Sequence, residues 1–226
     1  FSFERGERTG FDHCSDPNKN LMRLFFSSKA DANHPLIQAC NSLGFEFIAD
    51  SLLQFEAIEQ SPSKPYEVVF FSSPRAYTFG KSFIQRDTKI ACVSSGTAKY
   101  IEHPVDWAGK TPQNPIQTAQ DFRAWVGERR VLFPVSDRSL GSISNALPKA
   151  QIECLDVYKT ILSPKVIPPC DAYIFTSPSN AEAFLQCNAL PAGVIVFSWG
   201  KSTQAFLQER KIESTCILEE STDWTA

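Results

Sequence analysis

The sequence predicts an α/β protein of two similar parallel-sheet domains joined by a two-stranded linker. Three observations carry this expectation. A strand, turn, helix unit recurs along the chain, two consecutive units repeat each other at nearly equal offsets, and two alternating segments between the units lead into no helix.

In chain order, residues 1–21 (FSFERGERTGFDHCSDPNKNL) are polar and aperiodic and read as an extension outside the core. From Arg23 onward short apolar runs end in Ser, Thr, Gly or Pro: RLFFSS (23–28), EVVFFSSP (67–74), IACVSSGT (90–97), RVLFPVSD (130–137), AYIFTSPS (172–179) and VIVFSWGKST (194–203). Parallel strands covered by helices on both faces need such runs. Phe70, Phe71, Ser72, Ser73 and Pro74 match Ile174, Phe175, Thr176, Ser177 and Pro178 at an offset of 104, and Ser94-x-x-Thr97 matches Gly200-x-x-Thr203 at 106. Two successive units repeating together indicate a duplicated domain rather than one sheet.

Between the units, SLLQFEAIE (51–59) and QIECLDVYKTIL (151–162) alternate apolar and polar residues as half-buried strands do. They are expected to carry the chain out of the first domain and back. Domain 1 then holds residues 22–50 and 159–226, domain 2 holds 60–150, and 51–59 with 151–158 form the linker. Alternation in the second segment sets Cys154, Asp156 and Tyr158 on one face and Leu155 and Val157 on the other, pointing the Tyr158 ring away from the more apolar side. The turn-like stretch TPQNPIQTAQDF (111–122) is expected to start a helix at Thr118.

Composition narrows the function. The chain has 42% hydrophobic and 21% charged residues and a net charge of -3, which excludes a general attraction to nucleic acid and leaves any anion to local groups. Seven scattered cysteines without a CxxC pair signal neither a disulfide framework nor zinc, and fit a reducing, cytoplasmic setting. No apolar stretch reaches the roughly 18 residues of a membrane span and residues 1–21 lack the apolar run of a secretory signal, so the protein is expected to be neither exported nor membrane-embedded. WGKST (199–203) lacks the first glycine of a phosphate-binding loop, since Ile195 stands there. His13, His34 and His103 lie in separate segments, with no HExxH and no GxSxG, so neither a catalytic metal nor a serine-hydrolase triad is expected.

Ligands of parallel α/β sheets sit at the carboxyl ends of the strands, where helix N-termini attract anions, and all six turns fall there. Ser and Thr also cap helices whatever the function, so each turn alone is weak evidence. Six together, in two facing domains, point to an anion-binding cleft.

The SSPRA (72–76) and TSPSN (176–180) turns, the turns ending at Thr97 and Thr203, LFPVSDR (132–138) and DVYKT (156–160) together resemble uroporphyrinogen-III synthase over about residues 22–217. The resemblance implies two flavodoxin-like domains with the active site in the cleft between them. It implies a cofactor-free hydro-lyase of tetrapyrrole and heme synthesis, which cyclises hydroxymethylbilane with loss of water and inversion of the last pyrrole ring to give uroporphyrinogen III. The family's catalytic tyrosine falls on Tyr158, donating toward the departing hydroxyl, and cleft-lining residues fall on Ser73, Thr97, Ser177, Ser179 and Thr203. Arg75, Arg138 and Lys201, beside these turns, are expected to pair with acetate or propionate groups. A linear tetrapyrrole is the expected partner of a monomer in transient contact with the preceding pathway enzyme.

The chain departs from the family pattern at Ser94, where a glycine is usual, and at Ser27, Ser28 and Lys29, where arginine-proline is usual. It stops at STDWTA, where the family continues into a last helix. A non-catalytic cytosolic module that binds or senses a small anion is the second reading, because fold alone does not decide function.

Overall fold

The computed structural model describes residues 21–111 and 114–217. The expected N-terminal extension up to residue 20 and the STDWTA end lie outside the described residues. Along the described chain run strands β1 (Arg23–Phe26), β2 (Glu46–Ala49), β3 (Leu53–Ala57), β4 (Val68–Phe71), β5 (Lys89–Cys92), β6 (Trp107–Ala108), β7 (Val131–Ser136), β8 (Ile152–Leu162), β9 (Ala172–Phe175), β10 (Ile195–Ser198) and β11 (Thr215–Cys216). The helices are α1 (Pro35–Leu43), α2 (Pro74–Gly80), α3 (Ser95–Ala98), α4 (Pro115–Val126), α5 (Pro178–Leu185) and α6 (Lys201–Gln208).

The strands form two sheets, as the repeated offsets lead one to expect. One runs β11-β10-β9-β1-β2, all parallel, and the other β3-β8-β7-β4-β5-β6, parallel except that β3 is antiparallel to β8. In each sheet the first parallel strand lies inside, flanked by the second on one side and a later one on the other, the flavodoxin-like arrangement.

Each sheet is covered because its strands are apolar on both faces. Val68 and Phe70 enter one buried cluster with Phe122, Val131 and Phe133, while Val69 and Phe71 enter another with Tyr77, Ile90 and Cys92. In the all-parallel sheet Phe25, Tyr173, Phe175 and Phe184 pack together around Leu52 and Leu207. Phe26 meets Phe47 and Trp199 in a separate set of ring contacts.

The repeat is matched in backbone conformation. Ser73 (φ -165, ψ 162) and Ser177 (φ -157, ψ 157) cap α2 and α5, each followed by proline in the first turn, and Ser94 (φ -160, ψ 163) and Gly200 (φ -149, ψ 171) cap α3 and α6.

Three sequence expectations need correction. Helix α4 starts at Pro115 behind the cap Asn114, whose Oδ1 accepts the Gln117 N–H at 3.1 Å; Thr118 is buried inside it and donates to the Thr111 carbonyl. The turn after β7 opens no α-helix, because Asp137 Oδ1 accepts the N–H of Thr160 on β8 at 2.9 Å instead of capping. Strands β2, β6 and β11 are additional; β6 and β11 have two residues each, too few to show a period.

At the edge of the second sheet, the Gly109 N–H donates to the Cys92 carbonyl at 3.1 Å. A Cβ there would strike the Val93 carbonyl oxygen and lie 2.9 Å from Thr118 Cγ2. Gly109→Ala is therefore expected to destabilise by about 1–3 kcal/mol, since backbone cannot yield as a side-chain tip can. Urea denaturation measures this, and unchanged stability would contradict the close approach.

Candidate functional site

The Ser and Thr turns divide by what their hydroxyls already hold. Ser73 Oγ accepts the Ala76 N–H at 3.1 Å, Ser94 Oγ the Thr97 N–H at 3.1 Å, and Ser177 Oγ the Asn180 N–H at 3.2 Å. Thr97 and Thr203 are buried within the short helices α3 and α6. Ser27, fully buried, accepts the Thr176 N–H on Oγ at 2.8 Å, while Thr176 Oγ1 donates to the Ser27 carbonyl at 2.9 Å, closing β1 against β9 at their carboxyl ends. Ser179 is half-buried in the first turn of α5, and Lys201 is exposed at the start of α6. The Arg138 Nη1 donates to Glu182 Oε2 at 2.9 Å, joining the loop after β7 to α5.

A cleft of about 780 Å³ opens where the two sheets approach, bounded by Ser28 and Lys29 after β1, by Gln54 and Phe55 on β3, and by Arg75 and Phe79 on α2. It therefore lies at the carboxyl ends of one strand from each sheet, with the crossing strand β3 as a wall. Among the described residues its lining contains two cations, Lys29 and Arg75, and no carboxylate. Among the described residues neither cation is in an ion pair.

Arg75 rests on an aromatic ring. Its guanidinium carbon stands 3.5 Å from the centre of the Phe55 ring, a cation–π contact, and the Tyr158 ring meets the same Phe55 edge-on at 6.0 Å. Burial pulls the Arg75 pKa below the ordinary arginine value, and Tyr158 partly opposes this. Arginine nonetheless stays charged in proteins, so the cleft wall carries a partly desolvated cation.

Tyr158 does not face away from the apolar side. The pairing of β7 with β8 slips after Val135 opposite Asp156, so that Ser136 stands opposite Tyr158 and Val157 is the extra residue of a bulge. The bulge breaks the strict alternation, and Tyr158 enters the same buried cluster as Leu155, Val157 and Leu132, at 7% exposure. Its ring stacks on Phe79 at 5.0 Å and meets Phe55 edge-on at 6.0 Å.

The structure thus brings Arg75 and Tyr158 together, with Ser73 one turn end away, and Arg75 is the one nominated residue in the cleft lining. Lys29, Gln54, Thr78 and Tyr100 were not nominated from sequence, though all four line the same cleft. A helical signal for part of this wall existed, since Arg75, Thr78 and Phe79 share a helix face at i, i+3 and i+4. A smaller cavity of about 220 Å³ lies at the carboxyl ends of β4, β5 and β7, floored by Phe70, Val93 and Phe133 and rimmed by Ser72, Ser139 and Ser142.

The family model described as uroporphyrinogen-III synthase HemD matches residues 34–223. The crystal structure of uroporphyrinogen-III synthetase from Helicobacter pylori 26695 superposes with a TM-score of 0.63 at 17% identity, covering 87% of this chain and 92% of that one. A mutant uroporphyrinogen III synthase from the extremely thermophilic bacterium Thermus thermophilus gives 0.50 at 13% identity, covering 85% of this chain and 90% of that one. Both likenesses are of fold. No curated protein matches the chain.

Asn180 ties the crossing strand to the duplicated turn. Its Oδ1 accepts the Leu52 N–H at 3.0 Å, and its Nδ2 donates to Ser177 Oγ at 3.2 Å, with Asn180 and Leu52 both buried. Asn180→Ala is expected to lower stability by about 1–3 kcal/mol, because the Leu52 amide loses its partner without gaining water. A urea midpoint equal to the parent's would mean that the amide is satisfied another way.

Proposed function

The chain belongs to the uroporphyrinogen-III synthase family, and from that premise we propose that it cyclises hydroxymethylbilane to uroporphyrinogen III, with loss of water and inversion of the last pyrrole ring. The observation that carries this reading is the cleft between the sheets, with a cation on each side and, among the described residues, no acid in its lining. The substrate is a flexible polycarboxylate, and Lys29 and Arg75 reach it from different sheets. Arginine offers planar paired donors suited to a carboxylate, and lysine a mobile point charge suited to a second one.

The chemistry asks little of acid and base. When hydroxide leaves the pyrrole methylene with a proton from a donor or water, the remaining cation is delocalised into the ring. The demanding part is presenting the substituted position of the last ring to that carbon rather than the free one. Fixing reactants in one geometry is worth up to roughly 7–11 kcal/mol, so a site that anchors several carboxylates can direct the outcome without a dedicated acid–base pair.

Admitting a linear chain and releasing a macrocycle calls for opening and closing. In this reading residues 22–50 with 159–226 move against 60–150 about the β3 and β8 crossings. Small-angle scattering is expected to change when uroporphyrin is added, and identical curves would count against the hinge.

Incubation with hydroxymethylbilane tests the reaction itself. The type III isomer is expected in excess over the type I product of spontaneous closure. Type I alone, with the substrate bound, would assign the chain to a binding role.

A further inference from the structure

We propose that Phe55, on the crossing strand β3, is a positioning residue acting through Arg75: its ring face holds the guanidinium flat, so that the N–H donors of Arg75 meet a substrate carboxylate in the cleft. The guanidinium carbon stands 3.5 Å from the centre of the Phe55 ring, and both residues line the cleft. At that separation a fork standing on edge would drive nitrogen into the ring. The plane therefore lies on the face, and the donors point out sideways rather than into carbon.

This stack differs from the other arginine–ring contacts among the described residues. Arg129 lies over Trp125 at 4.4 Å and Arg210 over Phe206 at 3.6 Å, each ring four residues back in the chain. Both arginines also donate to carbonyls near a helix end, Arg129 Nε to Val126 at 2.9 Å and Arg210 Nη1 to Phe206 at 3.1 Å, so they finish helices. Arg75 instead comes from α2 and its ring from β3, so the contact exists only when tertiary structure joins them, and it lines the cleft. Arg23, Lys81, Lys89, Arg138, Lys165 and Arg210 have carboxylate partners, whereas the described residues give Arg75 none.

Phe55 is itself held firmly. Its backbone pairs with Thr160, its ring packs on the buried cluster of Leu132, Leu155, Val157 and Tyr158, and Tyr158 meets it edge-on at 6.0 Å. Arg75 needs such a support, since its side chain is long and flexible and a freely turning guanidinium presents its paired donors to a carboxylate only part of the time. Leu53 stands two residues earlier on the same face of β3 and packs against the core of the all-parallel sheet. One short strand thus carries a core contact of one sheet and the platform for the anchor in the other.

This role rests on the reading of the cleft as a polycarboxylate site, so binding and turnover are measured separately. Uroporphyrin, an inert porphyrin polycarboxylate, is titrated by fluorescence into the parent, Phe55→Leu, Phe55→Tyr, Arg75→Ala and the double variant Phe55→Leu with Arg75→Ala. On the same proteins kcat and KM for hydroxymethylbilane are measured, and folding is followed by urea denaturation. Arg75→Ala is expected to weaken uroporphyrin binding by about tenfold or more, the scale of one charge-assisted hydrogen bond. Phe55→Leu keeps an apolar side chain but removes the ring face; it should weaken binding by about threefold to tenfold and raise KM with kcat little changed. Phe55→Tyr keeps the face and should recover binding to within about twofold of the parent. The double variant should bind no worse than Arg75→Ala, as coupled residues do.

Equal losses in Phe55→Leu and Phe55→Tyr would overturn the positioning role, because packing rather than the ring face would then be at stake. So would losses that multiply in the double variant, or unchanged binding by Phe55→Leu. If Phe55→Leu does not fold, Arg75→Lys probes the stack without touching β3, since it keeps the charge but loses the flat fork. A loss of about threefold or more would then support the role, and binding equal to the parent's would overturn it. Failure of the parent to bind uroporphyrin, or unchanged binding by Arg75→Ala, would overturn the anchor. Coupled binding losses in a protein that yields only the type I isomer would sustain the Phe55–Arg75 pair while sinking the reaction assigned to it.

Discussion

The antiparallel pairing of β3 with β8 is the constraint on which the cleft depends. The chain passes from one sheet toward the other at residues near 52 and near 162, and Leu53 opposite Leu162 brings both crossings side by side. Over its first half β8 is also laddered to β7, so the crossing strand is anchored in the second sheet and not a loose tether. The same register sets Ala57 opposite Tyr158 and Phe55 opposite Thr160, which makes Phe55 and Tyr158 diagonal neighbours able to touch across the pair. Phe55 in turn carries the guanidinium of Arg75. Backbone pairing, an aromatic contact and a charged group at the cleft wall form one continuous dependence.

Charge placement separates what stabilises this protein from what prepares it for a ligand. Arg23 with Glu46, Lys89 with Asp106, Lys165 with Asp50 and Arg138 with Glu182 are partly exposed pairs, each contributing little to stability in water. Lys29 and Arg75 stand apart because the described residues of the cleft supply them no acid, so the local positive potential remains for a solute. With a net charge of only -3 over the chain, attraction of a polyanion rests on this local arrangement.

The duplicated turns were legible because they rest on local chemistry. A helix that starts directly after a buried strand needs an acceptor for its first amides, and Ser followed by Pro meets both the capping and the torsional demand within two residues. That is why Ser73 and Ser177 recur at the same offset as their strands and share nearly the same torsions. The same local logic explains why their hydroxyls are occupied, so the features easiest to read are structural caps first. Lys29, Gln54 and Tyr100 carried no such mark, since each belongs to a different element and they meet only when both sheets are assembled.

From sequence alone came the α/β class, the division into two sheets and the family resemblance, because hydrophobic period, turn chemistry and repeat spacing act over a few residues at a time. Tertiary structure alone decided where Tyr158 points. Alternation would have turned it from the apolar side, but one extra residue opposite β7 reverses the faces beyond it, and no local pattern in DVYKT announces that slip. β8 pairs with two neighbours at once, the bulge lies in that pairing, and beyond it the Tyr158 ring packs among Phe55, Phe79 and Leu132.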